Sequence, residues 1–263
     1  MKQAKKSLGQ NFLVDNNIIR KIINLSEIKN KHIVEIGPGT GALTKEIILR
    51  KPKSLTLIEK DNELCKDLKE KYFNQKFIKI FNSDILKFDI EKKIFKNSII
   101  FGNLPYNISS QILIKFIKFK KWPPKYKCLN FMFQKELGEK IQGKYLSSEY
   151  GRLSIISNYR LKILNKFLIS PNSFFPKPKV NSTVLEFLPK KKFHEIKDPK
   201  NLEKVTKVFF SQRRKMIKKP INILFKNFQF NYKKFDIKPS DRPQNIDINN
   251  YLKIVNEYEA LGS

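Results

Sequence analysis

The residues with the sharpest chemical signal are Asn103-Leu104-Pro105-Tyr106. They follow the apolar run Ile99-Ile100-Phe101, which reads as a buried strand, so they fall at a strand's carboxyl end, where α/β sheets bind ligands. An amide oxygen on Asn103 and the carbonyl of Leu104 can together accept both protons of an exocyclic amine. That aligns the nitrogen lone pair with an electrophile, while the Tyr106 ring stacks on the base carrying the amine. A proline turn with a buried tyrosine is the bland alternative. The ligand-type residues that precede the box in order favour the chemical reading.

Those residues begin with Glu35-Ile36-Gly37-Pro38-Gly39-Thr40-Gly41, at the end of a first strand and the opening of a helix. Glycines there let a ligand approach the backbone closely. The spacing is GxGxG rather than the dinucleotide GxGxxG, and Pro38 removes a donor that a pyrophosphate would use, which favours a nucleoside without phosphates. A purely structural turn has the same signature. Glu59 closes the second strand, where one carboxylate can accept from two vicinal ribose hydroxyls. Asp84 closes the third, as an acceptor for an adenine amine, and a sulfonium ligand would tolerate both carboxylates. Each carboxylate alone also reads as a helix cap or a solvated strand end.

The elements that must position these groups alternate along the chain. The apolar runs His32–Ile36, Leu55–Ile58, Phe77–Phe81, Ile99–Phe101 and Leu129–Phe133 are separated by lengths that suit crossover helices, such as 42–50 and 62–73. This βαβ alternation predicts an α/β, doubly wound parallel sheet. Beyond Gly151, the runs Ser154–Tyr159 and Val180–Leu188 bracket the loop 171–178 and are expected to pair as an antiparallel edge. The stretch Pro189-Lys190-Lys191-Lys192, followed by Asp198-Pro199, reads as a linker. It divides a first domain, 1–190, from a small helical domain, 199–263, broken at Pro220, Pro239 and Pro243.

Composition narrows the partners. The 263 residues carry 54 Lys plus Arg against 24 acidic residues, a formal charge of +30, which favours a polyanion such as nucleic acid. Only seven of those cations are Arg, so a lysine-rich compositional bias contributes to the excess. Cys65, Cys128, His32 and His194 show no metal-ligand or redox spacing, and no metal site is expected. The absence of a long apolar run suggests a cytoplasmic protein, with monomer as the default.

The chain resembles the bacterial 16S ribosomal RNA adenine dimethyltransferase family, which is related to the erythromycin-resistance rRNA methylases. The resemblance rests on Lys6-Ser7-Leu8-Gly9-Gln10-Asn11-Phe12-Leu13, the glycine loop, Glu59, Asp84, the Asn-Leu-Pro-Tyr box, Phe133-Gln134-Lys135-Glu136, Tyr150-Gly151-Arg152-Leu153-Ser154, Phe174 through Val180, and Arg213-Arg214-Lys215. It implies a Rossmann-like class I methyltransferase sheet with S-adenosyl-L-methionine as cofactor. Asn11 and Leu13 would close over that cofactor. Gly37, with Gly39 in the same loop, would contact its methionine part, Glu59 its ribose and Asp84 its adenine. Asn103 would bridge cofactor and target. Leu104, Pro105, Tyr106 and Phe174 would complete the target-base site, with Tyr106 and Phe174 sandwiching an extruded adenine. Arg213, Arg214 and Lys215, expected at the start of the helical domain, would grip phosphates, since Arg binds them bidentately. Pro220 departs from the longer helix expected after them.

The implied reaction is in-line displacement by the N6 lone pair, without a strong base, on two adjacent adenines of the 3′-end hairpin in a small ribosomal subunit or its assembly intermediate. Three rivals remain at this point. One is a macrolide-resistance-type 23S rRNA methylase, another a non-catalytic assembly factor. A DNA adenine methylase is disfavoured by the lack of a separate base-reading domain.

Overall fold

The structure is a computed structural model that describes residues 5, 8–226 and 228–261; Lys6 and Ser7 of the opening motif lie outside the described residues. In chain order the elements are β1 (Phe12–Leu13), α1 (Asn16–Ile23), β2 (His32–Ile36), α2 (Ala42–Leu49), β3 (Ser54–Glu59), α3 (Asn62–Lys71), β4 (Ile78–Asn82), α4 (Ile90–Lys93), β5 (Ser98–Asn103), α5 (Ser109–Ile117), β6 (Tyr126–Gln134), α6 (Lys135–Gln142), α7 (Arg152–Arg160), β7 (Leu161–Ile169), β8 (Phe174–Phe175), β9 (Ser182–Pro189), α8 (Pro199–Phe210), α9 (Lys218–Leu224) and α10 (Ile248–Ala260).

Residues cluster into two compact units. The first comprises 1–115, 119–138 and 162–189, and the second 116–118, 139–161 and 190–263. One boundary between the units falls between 189 and 190. The second unit also takes in 139–161, however, because Tyr150 and α7 pack with the C-terminal helices: the Tyr150 hydroxyl donates to the Ile246 carbonyl at 2.9 Å, and Arg152 pairs with Glu203 at 2.8 Å.

The first unit is built on a seven-stranded sheet in the order β4-β3-β2-β5-β6-β9-β7. Strands β4 through β6 are parallel and β9 runs antiparallel to β6. Strands buried on both faces read as nearly continuous apolar runs, which is why the central strands β2, β3, β5 and β6 stood out in the sequence; the edge strand β4 showed through Ile78, Ile80 and Phe81, which are only half-buried. The neighbour order reverses between β2 and β5, and that switch point opens a crevice at the carboxyl edge. Asp15 and Asp61 fix the starts of α1 and α3 by accepting from the first free backbone N–H groups of each helix.

The expected antiparallel pairing of 154–159 with 180–188 is not what forms. Residues 152–160 are the helix α7, and the strand beside β9 is instead β7. Residues 154–159 are buried on most sides, so their apolar run carries no periodicity that separates helix from strand. The Ser154 hydroxyl accepts from the Gly151 N–H at 2.9 Å, which satisfies a free donor at the start of the helix, and the Ser157 hydroxyl donates to the Leu153 carbonyl one turn back at 2.8 Å. Strand β7 is an edge strand with Lys162, Leu164, Asn165, Lys166 and Leu168 exposed, so it lacks the apolar run of a buried strand.

In the second unit α8 packs against α7, α9 and α10. The buried Glu259 near the end of α10 accepts from the backbone N–H groups of Lys197 and Asp198 at 2.7 and 2.9 Å and from Asn201 at 2.9 Å, tying the entry of α8 to α10. Pro220 is the third residue of α9. Proline lacks an N–H and clashes with the carbonyl four residues back, so α8 and α9 cannot merge into the longer helix expected. Among the described residues, no helix is long and apolar enough to cross a membrane.

Candidate active site

Parallel pairing brings the chemical residues to one edge. Ile36 is in register with both Ile58 and Gly102, and Glu59 with Asn82, so the ends of β2, β3, β4 and β5 form one row. The cleft above that row is lined by Asn11 and Leu13, by Gly37 and Gly39, by Glu59, Asp84 and Asn103, and by Leu104, Pro105 and Tyr106. Counted out to its open mouth, with the solvent in it included, the space is about 1080 Å³.

The glycine loop is shaped by backbone that only glycine adopts readily. Gly37 and Gly39 have φ of 65° and 58°, and a Cβ on Gly39 would meet the Phe12 ring at 3.1 Å. The loop is pinned by Glu59, whose Oε2 accepts from the Gly39 N–H at 3.0 Å and whose Oε1 accepts from the Asp61 N–H at 2.9 Å. Burial pushes the Glu59 carboxyl up, opposed by those backbone donors. Asp84 accepts from the Leu86 N–H at 2.9 Å and pairs with Lys60 at 2.9 Å. Burial acts to raise its pKa, but Lys60 and the Leu86 N–H outweigh it and hold the carboxyl below its ordinary value.

At the end of β5, the Asn103 side-chain amide donates to the Asn11 carbonyl at 3.0 Å. A carbonyl can only accept, so Asn103 must turn its NH2 toward Asn11 and keep Oδ1 for another donor. Leu104 is buried and fixes the turn from below. Two residues earlier on the strand, a Cβ on Gly102 would sit 2.5 Å from the Leu104 Cδ2, so glycine there leaves room for the Leu104 side chain. Tyr106 is anchored through its hydroxyl to the Ser182 Oγ at 2.6 Å.

Phe174 does not join Tyr106. It is 4% exposed and packs in the hydrophobic core with Leu13, Met132 and Val184, and it is absent from the cleft wall. The reason is the two-stranded pairing of β1 with β8: Leu13 opposes Phe174 and Phe12 opposes Phe175, so the pairs occupy opposite faces. The Leu13–Phe174 face is in the core, and Phe175 is 47% exposed. Nor does Arg213-Arg214-Lys215 open the helical unit; it lies in the turn between α8 and α9. Arg213 donates to Gln244 at 3.1 Å and to the Ser148 carbonyl at 2.6 Å, which leaves Arg214 and Lys215 as the exposed pair.

Sequence reasoning did not single out Gln10, Asp61, Ser182 or Lys60. Asp61 carries a helix-cap signal, being an Asp just before a predicted helix. Ser182 carries none, because only the β6–β9 pairing brings that end of the chain to the cleft.

Glu35 is 1% exposed and accepts from the Thr44 hydroxyl at 2.6 Å. Burial, opposed by Thr44 and reinforced by the charge of Glu59, lifts its carboxyl from 4.5 to about 8. A folded-state pKa above the unfolded one means that the native protein holds the extra proton. Stability from this group is therefore full below about pH 4.5 and is lost as pH rises to about 8. The Glu35→Gln variant keeps an acceptor for Thr44 and has no titration. Thermal melts across that window should show the variant losing less stability with rising pH than the parent, by up to a few kcal/mol at ~1.4 kcal/mol per pKa unit. Parallel curves would show that Glu35 is ionised in the fold.

Comparison with known proteins agrees with this geometry. The family model described as "Ribosomal RNA adenine dimethylase" matches residues 1–260. The "Ribosomal RNA small subunit methyltransferase A" of Pelagibacter ubique (strain HTCC1062) is 48% identical over 259 residues, covering 98% of each chain. The protein of the same name from Malacoplasma penetrans (strain HF-2) is 38% identical over 98% of this chain and 93% of its own. Among solved structures, a dimethyladenosine transferase from Plasmodium falciparum superposes with a TM-score of 0.76 at 26% identity, over 95% of this chain and 98% of that one. The 23S rRNA methyltransferase ErmE shares the fold, with a TM-score of 0.66 at 20% identity over 94% of this chain and 99% of its own. With its Asn-Leu-Pro-Tyr box at the switch point of a seven-stranded sheet and a family match along almost its whole length, the chain belongs to the ribosomal RNA adenine dimethylase family.

Proposed function

We propose that this protein dimethylates the N6 amines of two adjacent adenines in the 3′-end hairpin of 16S rRNA, within the small ribosomal subunit or its assembly intermediate. The observation that carries the reading is the Asn103 amide, held by the Asn11 carbonyl so that its Oδ1 is left to accept from a substrate amine. The small-subunit assignment draws on the names of the relatives.

The cleft suits S-adenosyl-L-methionine. Its wall carries the Glu59 and Asp84 carboxylates, with Lys60 already paired to Asp84, a charge pattern that suits a cationic ligand and disfavours a phosphate. Pro38 withholds a backbone donor where a pyrophosphate would want one. Glu59 would accept from the ribose hydroxyls, Asp84 from the adenine amine, and Gly37 and Gly39 would admit the methionine part, with Asn11 and Leu13 beside it. When bound, the cofactor supplies an electrophilic methyl group.

The protein's own work is then orientation. Asn103 Oδ1 and the Leu104 carbonyl accept the two amine protons, Pro105 shapes that turn, and the Tyr106 ring supports the base face. Alkylation acidifies the amine, so the proton departs after the new bond forms and no basic side chain is required. Arg214 and Lys215, in the C-terminal helical part, contact RNA phosphates.

Removing the Tyr106 ring should be far worse than removing its hydroxyl. Tyr106→Ala forfeits a base stack worth ~1–3 kcal/mol, whereas Tyr106→Phe loses only the Ser182 bond, about 1 kcal/mol. Steady-state kcat/KM toward small subunits reads the difference, and equal losses would remove Tyr106 from the base platform.

The deciding experiment transfers labelled methyl to small subunits that lack native methylation and identifies the nucleoside by mass spectrometry. Dimethyladenosine in 16S rRNA is expected. Label in large-subunit RNA would reassign the substrate, and tight subunit binding without transfer would make the protein an assembly factor.

A further inference from the structure

Residues 8–13 line the cofactor cleft as a strap, and the structure fixes that strap on both sides of Asn11. After it, Phe12 and Leu13 pair with β8. Before it, the Gln10 side chain donates from Nε2 to Asp61 Oδ2 at 2.9 Å and accepts from the Lys5 N–H at 2.8 Å. Asp61 is buried: Oδ1 caps α3 through the Glu63 and Leu64 N–H groups at 3.0 and 3.5 Å and also accepts from Lys5 Nζ at 3.1 Å, while Oδ2 goes to Gln10 of the strap. A helix cap needs only the first of these oxygens.

We infer that Gln10 and Asp61 form a latch that sets the orientation of Asn103, which makes both of them positioning residues for methyl transfer. The inference rests on the reading of Asn103 as the amine acceptor. Its path is short. Gln10 adjoins Asn11, and the Asn11 carbonyl is the acceptor that forces the Asn103 amide to present its NH2 inward and its Oδ1 outward. With the latch open the carbonyl shifts and the amide is free to rotate. Its NH2 then meets the substrate amine, donor against donor, and the lone pair loses its alignment. Asp61 also donates its own N–H to Glu59 at 2.9 Å, so the latch abuts the proposed ribose acceptor.

The hydrogen bond can be reversed in polarity without moving it. Gln10→Glu places a carboxylate against Asp61, and Asp61→Asn places an NH2 against Gln10, so each single variant breaks the latch. Together they restore it: the amide introduced at position 61 donates to the carboxylate introduced at position 10, while its own oxygen still caps α3. Two readouts are needed: amide hydrogen exchange of residues 8–14, which requires no RNA, and single-turnover methyl transfer at saturating cofactor and RNA. Each single variant should exchange faster and transfer about 10- to 100-fold more slowly, and the double variant should recover most of both losses.

Unchanged exchange in the single variants would overturn the latch. A double variant as impaired as the singles would also overturn it, leaving Asp61 as a helix cap alone. Altered exchange with a normal transfer rate would overturn the link to Asn103. If wild-type protein transfers no methyl group, the proposed reaction fails by itself, and the exchange data still decide whether the latch exists.

Discussion

Asn103→Ala should lower kcat for methyl transfer by about 10²- to 10³-fold, the loss expected when a preorganised polar contact to the reacting group is deleted. Cofactor Kd should move little by comparison, because Glu59, Asp84 and the glycine loop remain in place. The variant removes two things at once: the Oδ1 acceptor and the donor that satisfies the Asn11 carbonyl. Asn103→Asp separates them. It retains an acceptor oxygen but sets a carboxylate against that carbonyl, so it should transfer slowly as well, and its rate should improve as pH falls toward the carboxyl pKa and the acid proton replaces the lost donor. Rapid-quench kinetics at saturating cofactor measure both variants. An Asn103→Ala enzyme with wild-type kcat would remove Asn103 from the reaction.

Glu59→Ala should act on the other half of the site and show the opposite split. Charge-assisted hydrogen bonds are worth ~1.5–3 kcal/mol each, and loss of a carboxylate serving two ribose hydroxyls should raise cofactor Kd by about 10²-fold or more. The truncation also strips the Gly39 and Asp61 N–H groups of their acceptor, which loosens the glycine loop and the start of α3 together. Calorimetric titration with an analogue lacking the ribose hydroxyls isolates the direct part. That analogue should bind wild-type protein weakly and lose little more on the variant. If the variant discriminated against the analogue as strongly as wild type does, Glu59 would be a loop-fixing residue that never touches the ribose.

The sequence by itself determined the five parallel strands, the crossover helices and the row of ligand-type residues at the strand ends. The central strands, buried on both faces, must be apolar throughout, and a glycine loop, Glu59, Asp84 and Asn103 in that order are legible at the ends of successive strands. Asp61 carried a helix-cap signal that was not singled out, and nothing local marked the second duty of that carboxylate.

Whatever depends on pairing between distant segments was decided by tertiary structure. That Ser154–Tyr159 is part of helix α7 was not legible because its burial erases the periodicity that separates the two choices, and the edge strand β7 stayed hidden because its outer positions face water. Phe174 entered the core because two residues of β1 pair with two of β8, and a register of one residue decides which aromatic is buried and which is exposed. The contacts of Gln10 with Asp61, of Asn11 with Asn103 and of Tyr106 with Ser182 span 51, 92 and 76 positions of sequence. Local propensity and hydrophobic period carry no information at that range. The ligand-type residues are thus written into the chain, while the orientation of the Asn103 amide exists only once the strap has closed over the sheet.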